Sequence, residues 1–264
     1  MKNFNLDKYA AFAGCIFDAT TEQGLEDVLI KKTYGQTAPL AAGATSDIWE
    51  ESGAMTLLSA ASTLTVSSAS ADDDEGGTGA IEVFISGLDA DYNILTETVT
   101  LNGTSNVVTT NSFLRVNRSR VVLAGSGKTN AGDISIISTT GSFSQGKITA
   151  GESVTHFSHF TVPAGYTAFT TDVHISCYRT SGNGVREGLV EQLIYDPVGN
   201  TITETLKYGI SSSASFNDIE VLYTQSPEKS TVYFKVTSDS NNAAFTVSTG
   251  ELLLKGDYNR FTKW

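Results

Sequence analysis

Several residue types that mark familiar protein classes are scarce in this sequence. Its 264 residues include two cysteines, two tryptophans, four prolines and three histidines. Cys15 and Cys177 lie far apart and cannot form the dense disulfide framework of a small secreted domain. No apolar run approaches the roughly 18 residues that span a bilayer, so we expect no membrane segment.

Positive charge is also scarce. Lys and Arg total 17 against 29 Asp and Glu, which gives a formal net charge of -12. A nucleic-acid-binding surface is normally a basic patch or stripe, so this balance argues against direct contact with nucleic acid. Charged residues make up 17 % of the chain, below the roughly 25 % that is usual in soluble domains.

Small polar residues and glycine are abundant instead. Ser and Thr together make 63 residues, Gly adds 24, and hydrophobic residues at 40 % suffice for a core. From Thr45 onward, short runs rich in Thr, Val and Ile alternate with Gly, Asn, Asp and Ser clusters, which is typical of an all-β sandwich or barrel. The predicted strands are Leu64–Ser68, Ala80–Ser86, Ile94–Leu101, Arg120–Ala124, Ile134–Ser138, Phe169–Cys177, Leu189–Tyr195, Thr201–Tyr208, Ile219–Tyr223, Thr231–Thr237 and Phe245–Ser248.

The N-terminal region differs from the rest. Residues 1–45 combine apolar positions at helical spacing with a Gly/Ala/Pro stretch, and we interpret them as an arm. Residues 12–15 are similar to a lipoprotein processing box, but the preceding apolar stretch of six residues is shorter than the roughly 7–15 of a secretory signal. We therefore expect synthesis in a cytoplasm.

An internal repeat divides the remainder. Residues 89–98 align with residues 196–205 at a constant offset of 107, with Asp, Asn and Thr-Glu-Thr in common. Further on, Ser119 aligns with Ser230 at offset 111, and Ile134 and Ile136 then align with Phe245 and Val247. Two copies are too few for a solenoid, so the repeat predicts two tandem antiparallel β-sandwich domains, of jelly-roll or Ig-like type. We place the arm at 1–45, the first domain at 46–148 and the second at 149–264.

The densest charge cluster is a run of four carboxylates followed by two glycines, namely Asp72, Asp73, Asp74 and Glu75. Four adjacent carboxylates on a loop could hold Ca²⁺, which takes six to eight oxygen ligands. The alternative is a solvated loop joining two strands, because runs of like charge usually stay in water. The run is a weak metal candidate, and no other metal ligands are proposed.

Other chemical motifs are incomplete. Residues 125–129 lack the first glycine of a phosphate-binding loop, and residues 89–93 fit hairpin-turn chemistry better than a calcium loop. His156 and His159 would point to opposite faces of a strand, and Cys177 lies in an alternating apolar run, as a buried thiol would. These patterns predict no catalytic residue, no cofactor and no enzymatic activity.

Four stretches of the chain form a composite of short β motifs: Gly79–Asn93, Glu97–Thr104, Phe113–Arg118 and Ala124–Gly127. This composite resembles a pattern in structural proteins of tailed bacteriophages, marine ones in particular. Val162–Ala168 is similar to the start of their second half, so the resemblance covers about residues 45–175. It implies a capsid decoration, turret or head–tail vertex protein, and it brings no catalytic motif with it.

We accordingly expect a virion structural protein, assembled in the host cytoplasm and located on the capsid exterior. Its partners would be copies of itself, in a trimer or pentamer, and major capsid or portal and tail proteins. A tail-fibre or spike receptor-binding protein and a double jelly-roll major coat protein remain alternatives. An aromatic C-terminal tail could dock on a neighbouring subunit or close its own sandwich; it contains Tyr258, Phe261 and Trp264.

Overall fold

A computed structural model describes residues 28–212, 217–219 and 224–255. Within these ranges the chain forms β-strands and no helix, which confirms the predicted all-β class. No helix in the described ranges is long and apolar enough to cross a bilayer. The strands are β1 (Val28–Gln36), β2 (Thr45–Asp47), β3 (Leu64–Ser68), β4 (Ala80–Leu88), β5 (Ile94–Thr100), β6 (Val107–Val108), β7 (Arg115–Ala124), β8 (Ile134–Ser138), β9 (Ser144–Ile148), β10 (Phe160–Thr161), β11 (Tyr166–Arg179), β12 (Glu187–Asp196), β13 (Thr201–Ser211), β14 (Asn217–Ile219), β15 (Thr224–Ser226), β16 (Thr231–Ser238) and β17 (Ala243–Lys255).

Two antiparallel sheets belong to the first half of the chain. Sheet I has the order β6-β3-β8-β9, and sheet II has the order β5-β4-β7. Their strands alternate buried and partly exposed residues, because successive side chains of a strand point to opposite faces. One apolar cluster draws on both sheets and includes Leu64, Val66, Val83, Ile85, Val116, Ile134 and Ile136. Each such side chain contributes about 1.5–3 kcal/mol when fully buried.

Two further antiparallel sheets belong to the second half. Sheet III has the order β1-β17-β11-β14, with β15 also paired to β11, and sheet IV has the order β10-β16-β12-β13, with β2 also paired to β16. A second apolar cluster draws on both of these sheets and includes Val173, Ile175, Val190, Phe234, Val236, Phe245 and Val247. Leu40 and Ile48, which flank β2, belong to the same cluster. The N-terminal segment is therefore part of the second core.

The two halves share one strand order. Sheet I (β6-β3-β8-β9) corresponds strand for strand to β14-β11-β17-β1 of sheet III, and sheet II (β5-β4-β7) corresponds to β13-β12-β16 of sheet IV. Ile136 and Val247, which the sequence repeat aligns, face Gly146 and Gly35 across their outer neighbours β9 and β1. This correspondence supports the internal duplication and shows that β1, from the start of the described chain, takes the place that β9 has in the first half.

The repeat differs from the prediction in one strand. Val83 of β4 faces Val121 of β7, and Val190, its counterpart at offset 107, faces Val236 of β16. Val236, rather than Val232, is thus the structural counterpart of Val121. The predicted register of this strand is wrong by four residues, because it rested on two identities in a short segment, Ser119 with Ser230 and Val121 with Val232.

The region predicted as an arm contains ordinary sheet structure in its described part. β1 pairs with β17 over nine residues, and β2 pairs with β16. The mixed polar sequence of β1 suits an edge strand, and the sequence analysis predicted no strand there. The domain boundaries themselves stay a prediction. Residues 1–27, most of the predicted strand Ile219–Tyr223 and the C-terminal aromatic tail lie outside the described residues.

Polar groups join the two halves in addition to Phe157, which packs in the first core. The side chain of Asn117 donates to the carbonyl of Thr161 at 2.9 Å and accepts from its backbone N–H at 2.9 Å. The backbone N–H of Ala164 donates to the carbonyl of Tyr92, at the tip of the β4–β5 hairpin. Paired backbone groups of this kind fix the position of one half on the other.

Candidate functional site: the edge strands and the junction cavity

The acidic loop is held by one of its own carboxylates. Asp73 is fully buried, and its two oxygens accept hydrogen bonds from the Ser68 hydroxyl and from the backbone N–H groups of Ala80, Ala131 and Gly132. This set of donors joins the loop to the strand before it and to the segment that precedes β8. Asp73 therefore acts as a structural acceptor that fastens three chain segments together.

The other three carboxylates of the run do not converge with Asp73. Asp72 and Glu75 are exposed, and Asp74 accepts a hydrogen bond from the backbone N–H of Gly76, as in a turn. Among the described residues no group of three or more His, Cys, Asp or Glu side chains could hold a metal ion. Asp72 and Glu75 thus fit the interpretation of a solvated loop and Asp74 is half-buried, whereas Asp73 is buried and departs from that interpretation.

The two hairpin tips of the repeat are turns built on aspartate. Asp89 accepts from the backbone N–H groups of Asp91 and Asn93, and Asp196 accepts from that of Val198. These are the local side-chain to backbone bonds expected of Asp in a turn. The calcium-loop pattern at residues 89–93 is explained by this turn chemistry.

The three histidines have different surroundings. His156 forms an ion pair with Glu50, 3.3 Å from Nδ1 to the carboxylate, and this hydrogen-bonded neighbour raises its pKa. His159 is buried and stacks on Phe157, and burial lowers its pKa to about 4, so it is neutral at pH 7. His174 lies on β11 beside Asp172, at 3.4 Å. They do not form one site.

Cys177 is buried on β11 and donates to the carbonyl of Arg186. Burial raises the pKa of its thiol to about 11. The thiol is therefore protonated at neutral pH and lacks the thiolate that a nucleophile needs. Cys15 lies outside the described residues.

A row of buried side chains joined by hydrogen bonds runs through the second half. The carboxylate of Glu251, which is 1 % exposed, accepts from the hydroxyl of Thr170, and the side chain of Gln192 donates to the same hydroxyl at 3.2 Å. The Thr205 hydroxyl donates to Gln192 at 3.1 Å. Burial raises the pKa of Glu251 to about 8. Sequence reasoning missed this group because the isolated Glu lies in an apolar-looking strand.

Two edge strands face solvent at corresponding positions of the two halves. β5 ends sheet II and β13 ends sheet IV, and most residues of both strands are exposed or half-buried. Apolar side chains are exposed near their hairpin tips: Ile94 is 50 % exposed, Val198 83 % and Ile202 60 %. The outer backbone groups of an edge strand can pair with another strand.

Charged side chains lie along the later part of β13, away from its hairpin tip. Lys207 lies 2.6 Å from the carboxylate of Glu191 and 3.3 Å from that of Glu204. Natural proteins place charged side chains on edge strands to prevent indiscriminate pairing. The Thr201–Thr203 end carries no charged residue and lies next to the exposed Val198, so this end offers the more favourable contact surface.

A cavity of about 440 Å³ lies at the junction of the two halves. One wall is the outer face of β16, which presents Tyr233 and Lys235, and another is the irregular segment 54–59. Arg115, at the start of β7, and Tyr195, near the end of β12, also line it. These residues come from four separate parts of the chain, so no local sequence motif could predict the cavity.

No family model matches the chain, and no curated protein matches it. Solved structures with some likeness come from infectious bursal disease virus: a T13 viral particle at 12 % identity and a TM-score of 0.19, covering 88 % of this chain and 71 % of that one. A particle of the Gx strain gives 10 % identity, a TM-score of 0.18 and coverage of 90 % and 75 %. The VP2 subviral particle gives 11 % identity and a TM-score of 0.17, and the match covers 88 % of this chain and 78 % of that one. TM-scores this low carry no argument about fold or function.

Proposed function

We propose that the chain is a non-enzymatic structural component of a phage virion, located on the capsid exterior as a decoration, turret or vertex protein. The observation that carries the proposal is the pair of solvent-facing edge strands, β5 and β13, with exposed apolar residues at their hairpin tips. An edge of this kind gives a protein that is soluble alone a surface for pairing with further copies.

The arrangement of the two cores supports a rigid building block. Each apolar cluster draws on two sheets, which is the packing of a β-sandwich, and we interpret the halves as two tandem sandwiches of common origin. The polar contacts of Asn117 with Thr161 join them. A block of two similar units presents similar surfaces twice, which suits attachment to a repeating lattice.

Charge and sequence resemblance favour the outside of a particle. A net charge of -12 limits non-specific binding to a packaged genome. The composite of β motifs between residues 45 and 175 resembles tailed-phage structural proteins, which include decoration and vertex proteins. The proposed partners are copies of this chain, in a closed trimer or pentamer, and major capsid or portal and tail proteins.

Quantitative gel analysis of purified virions of the phage that encodes this chain tests the proposal. We expect the chain in the particle, and we expect mild stripping to release it and leave intact but more fragile heads. Its absence from particles would overturn the virion role. Hundreds of copies would indicate decoration or coat, whereas six or twelve would indicate a vertex or tail part.

A further inference from the structure

Arg115 is a buried cation that forms no ion pair with any residue of the described ranges. It is 5 % exposed, and its Nη1 donates to the carbonyls of Leu58 and Leu114 at 2.7 and 2.8 Å. Its Nε is buried and has no hydrogen-bond partner within the described residues. A buried guanidinium stays charged, so an unpaired donor and an uncompensated charge are both unfavourable.

The groups around Arg115 do not neutralise it. Burial lowers its pKa, and the groups that act in the opposite direction are the phenols of Tyr92 and Tyr195 rather than a carboxylate. The carboxylate on the cavity wall, Asp47, pairs in register with Lys235 and accepts from the backbone N–H of Met55. Arg115 and Lys235 therefore outnumber Asp47, and the cavity has an excess of one positive charge.

Much of the remaining wall is apolar, with polar side chains of Ser59, Ser158, His159 and Thr231 among it. Trp49, Tyr195 and Tyr233 line the cavity together with Met55 and Leu57. Its volume of about 440 Å³ lies in the usual range for small-molecule sites, roughly 300–1,000 Å³. A site lined by Arg115, with an excess of one positive charge and mostly apolar walls, matches a ligand with a flat apolar body and one anionic group.

The geometry points to a binding site for a small organic anion in the junction cavity. The anionic group accepts from the guanidinium of Arg115, and the apolar body lies between the aromatic walls and the segment 54–59. This site does not depend on the virion role proposed above.

A matched pair of fluorescent probes tests this assignment. 1-Anilinonaphthalene-8-sulfonate carries an anionic group, and N-phenyl-1-naphthylamine has the same aromatic body without it. We expect the full chain to bind one molecule of the sulfonate, about tenfold more tightly than the neutral probe, as one charge-assisted hydrogen bond provides. Equal affinities for the two probes would overturn the assignment.

Two variants locate the binding. Arg115→Met should reduce sulfonate binding about tenfold and leave binding of the neutral probe unchanged. Ala54→Trp places bulk on the exposed rim of the cavity and should reduce binding of both probes. Lys229→Met is the control, because it removes a cation that lies 6.0 Å from the Tyr92 ring but is not on the cavity wall.

Folding of each variant is checked by circular dichroism and thermal unfolding. If Arg115→Met does not fold, Ala54→Trp decides alone: retained binding of both probes there means that they bind elsewhere, and the assignment is wrong. Loss of sulfonate binding in Lys229→Met equal to that in Arg115→Met would likewise overturn the role of Arg115.

Discussion

At the scale of single residues, two buried carboxylates behave in opposite ways. Asp73 accepts hydrogen bonds from four donors in three chain segments. Glu251 accepts a hydrogen bond from the Thr170 hydroxyl, and burial raises its pKa to about 8. The first carboxylate fastens the chain segments around it, and the second is favoured when protonated.

Replacing Asp73 tests the first of these roles. Asp73→Asn removes one acceptor oxygen among buried N–H groups and should lower the free energy of unfolding by about 2–4 kcal/mol. Asp72→Asn, on the exposed neighbour, should change it by less than about 0.5 kcal/mol. Urea unfolding measures both. Equal effects of the two variants, or a rise in the melting temperature of the wild type on adding Ca²⁺, would contradict the structural role.

Glu251 predicts a pH dependence of stability. Its ordinary pKa is 4.5 and its folded pKa is about 8, so between these pH values the unfolded chain releases a proton that the folded chain retains. The contribution of this group to the free energy of unfolding therefore falls as pH rises from about 4.5 to 8. Glu251→Gln should match the wild type near pH 4.5 and be more stable at pH 8.5, by on the order of 2–4 kcal/mol.

Denaturant unfolding across this pH range measures the difference between the variant and the wild type. Glu187→Gln, at an exposed position on β12, is the control and should give a difference that does not vary with pH. A constant difference for Glu251→Gln as well would show that the carboxylate is hydrated rather than buried.

At the scale of elements, strands with alternating residues could be predicted from the sequence, including the edge strands β5 and β13, whereas β1 could not. β3 and β8 have the predicted bounds, because Leu64, Val66, Ile134 and Ile136 alternate with polar residues between clear turn signals. β1 was missed because its apolar residues are grouped at Val28–Ile30 and do not alternate with polar ones. The burial of Asp73 among four carboxylates was equally hidden, since its donors Ala131 and Gly132 lie more than fifty residues away.

A glycine substitution tests the place of β1. A Cβ at Gly35 would lie 2.5 Å from backbone atoms of Ile48 and Ser158, which cannot move without shifting β1. Gly35→Val should destabilise the protein by about 2–4 kcal/mol. Gly209→Val on β13 meets no atom within 4 Å and should be neutral within about 0.5 kcal/mol. Thermal unfolding compares them, and a neutral Gly35→Val would mean that β1 is not docked as described.

The exposed edge of β13 predicts a contact between copies. Ile202→Lys should weaken self-association about tenfold without lowering the melting temperature, because the position is exposed and a charge opposes edge pairing. Val108→Lys, an exposed apolar position on the two-residue strand β6, is the control. Light scattering after size-exclusion chromatography measures the mass. An unchanged oligomer in Ile202→Lys would exclude this edge as the contact.

At the scale of the whole molecule, we expect the junction to couple the two halves into one cooperative unit. Asn117 bonds with Thr161 in both directions, and the ammonium of Lys229 lies 6.0 Å from the centre of the Tyr92 ring. We expect a single calorimetric transition for the wild type and two transitions for the double variant Asn117→Ala/Tyr92→Ala. Tyr178→Ala, an exposed aromatic on β11, should retain one transition. A single transition in the double variant would place the coupling elsewhere.

The position of β1 beside β17 also has a consequence for the order in which the molecule is made. The strands of sheets I and II all lie in one continuous stretch of chain, so the first half can fold while the rest is still being synthesised. Sheet III pairs Val28 of β1 with Leu254 of β17. During synthesis β1 therefore stays unpaired until β17, the last described strand, has left the ribosome. The second half can therefore complete sheet III only after β17 has been made. A product truncated before β17 would expose an unpaired β1.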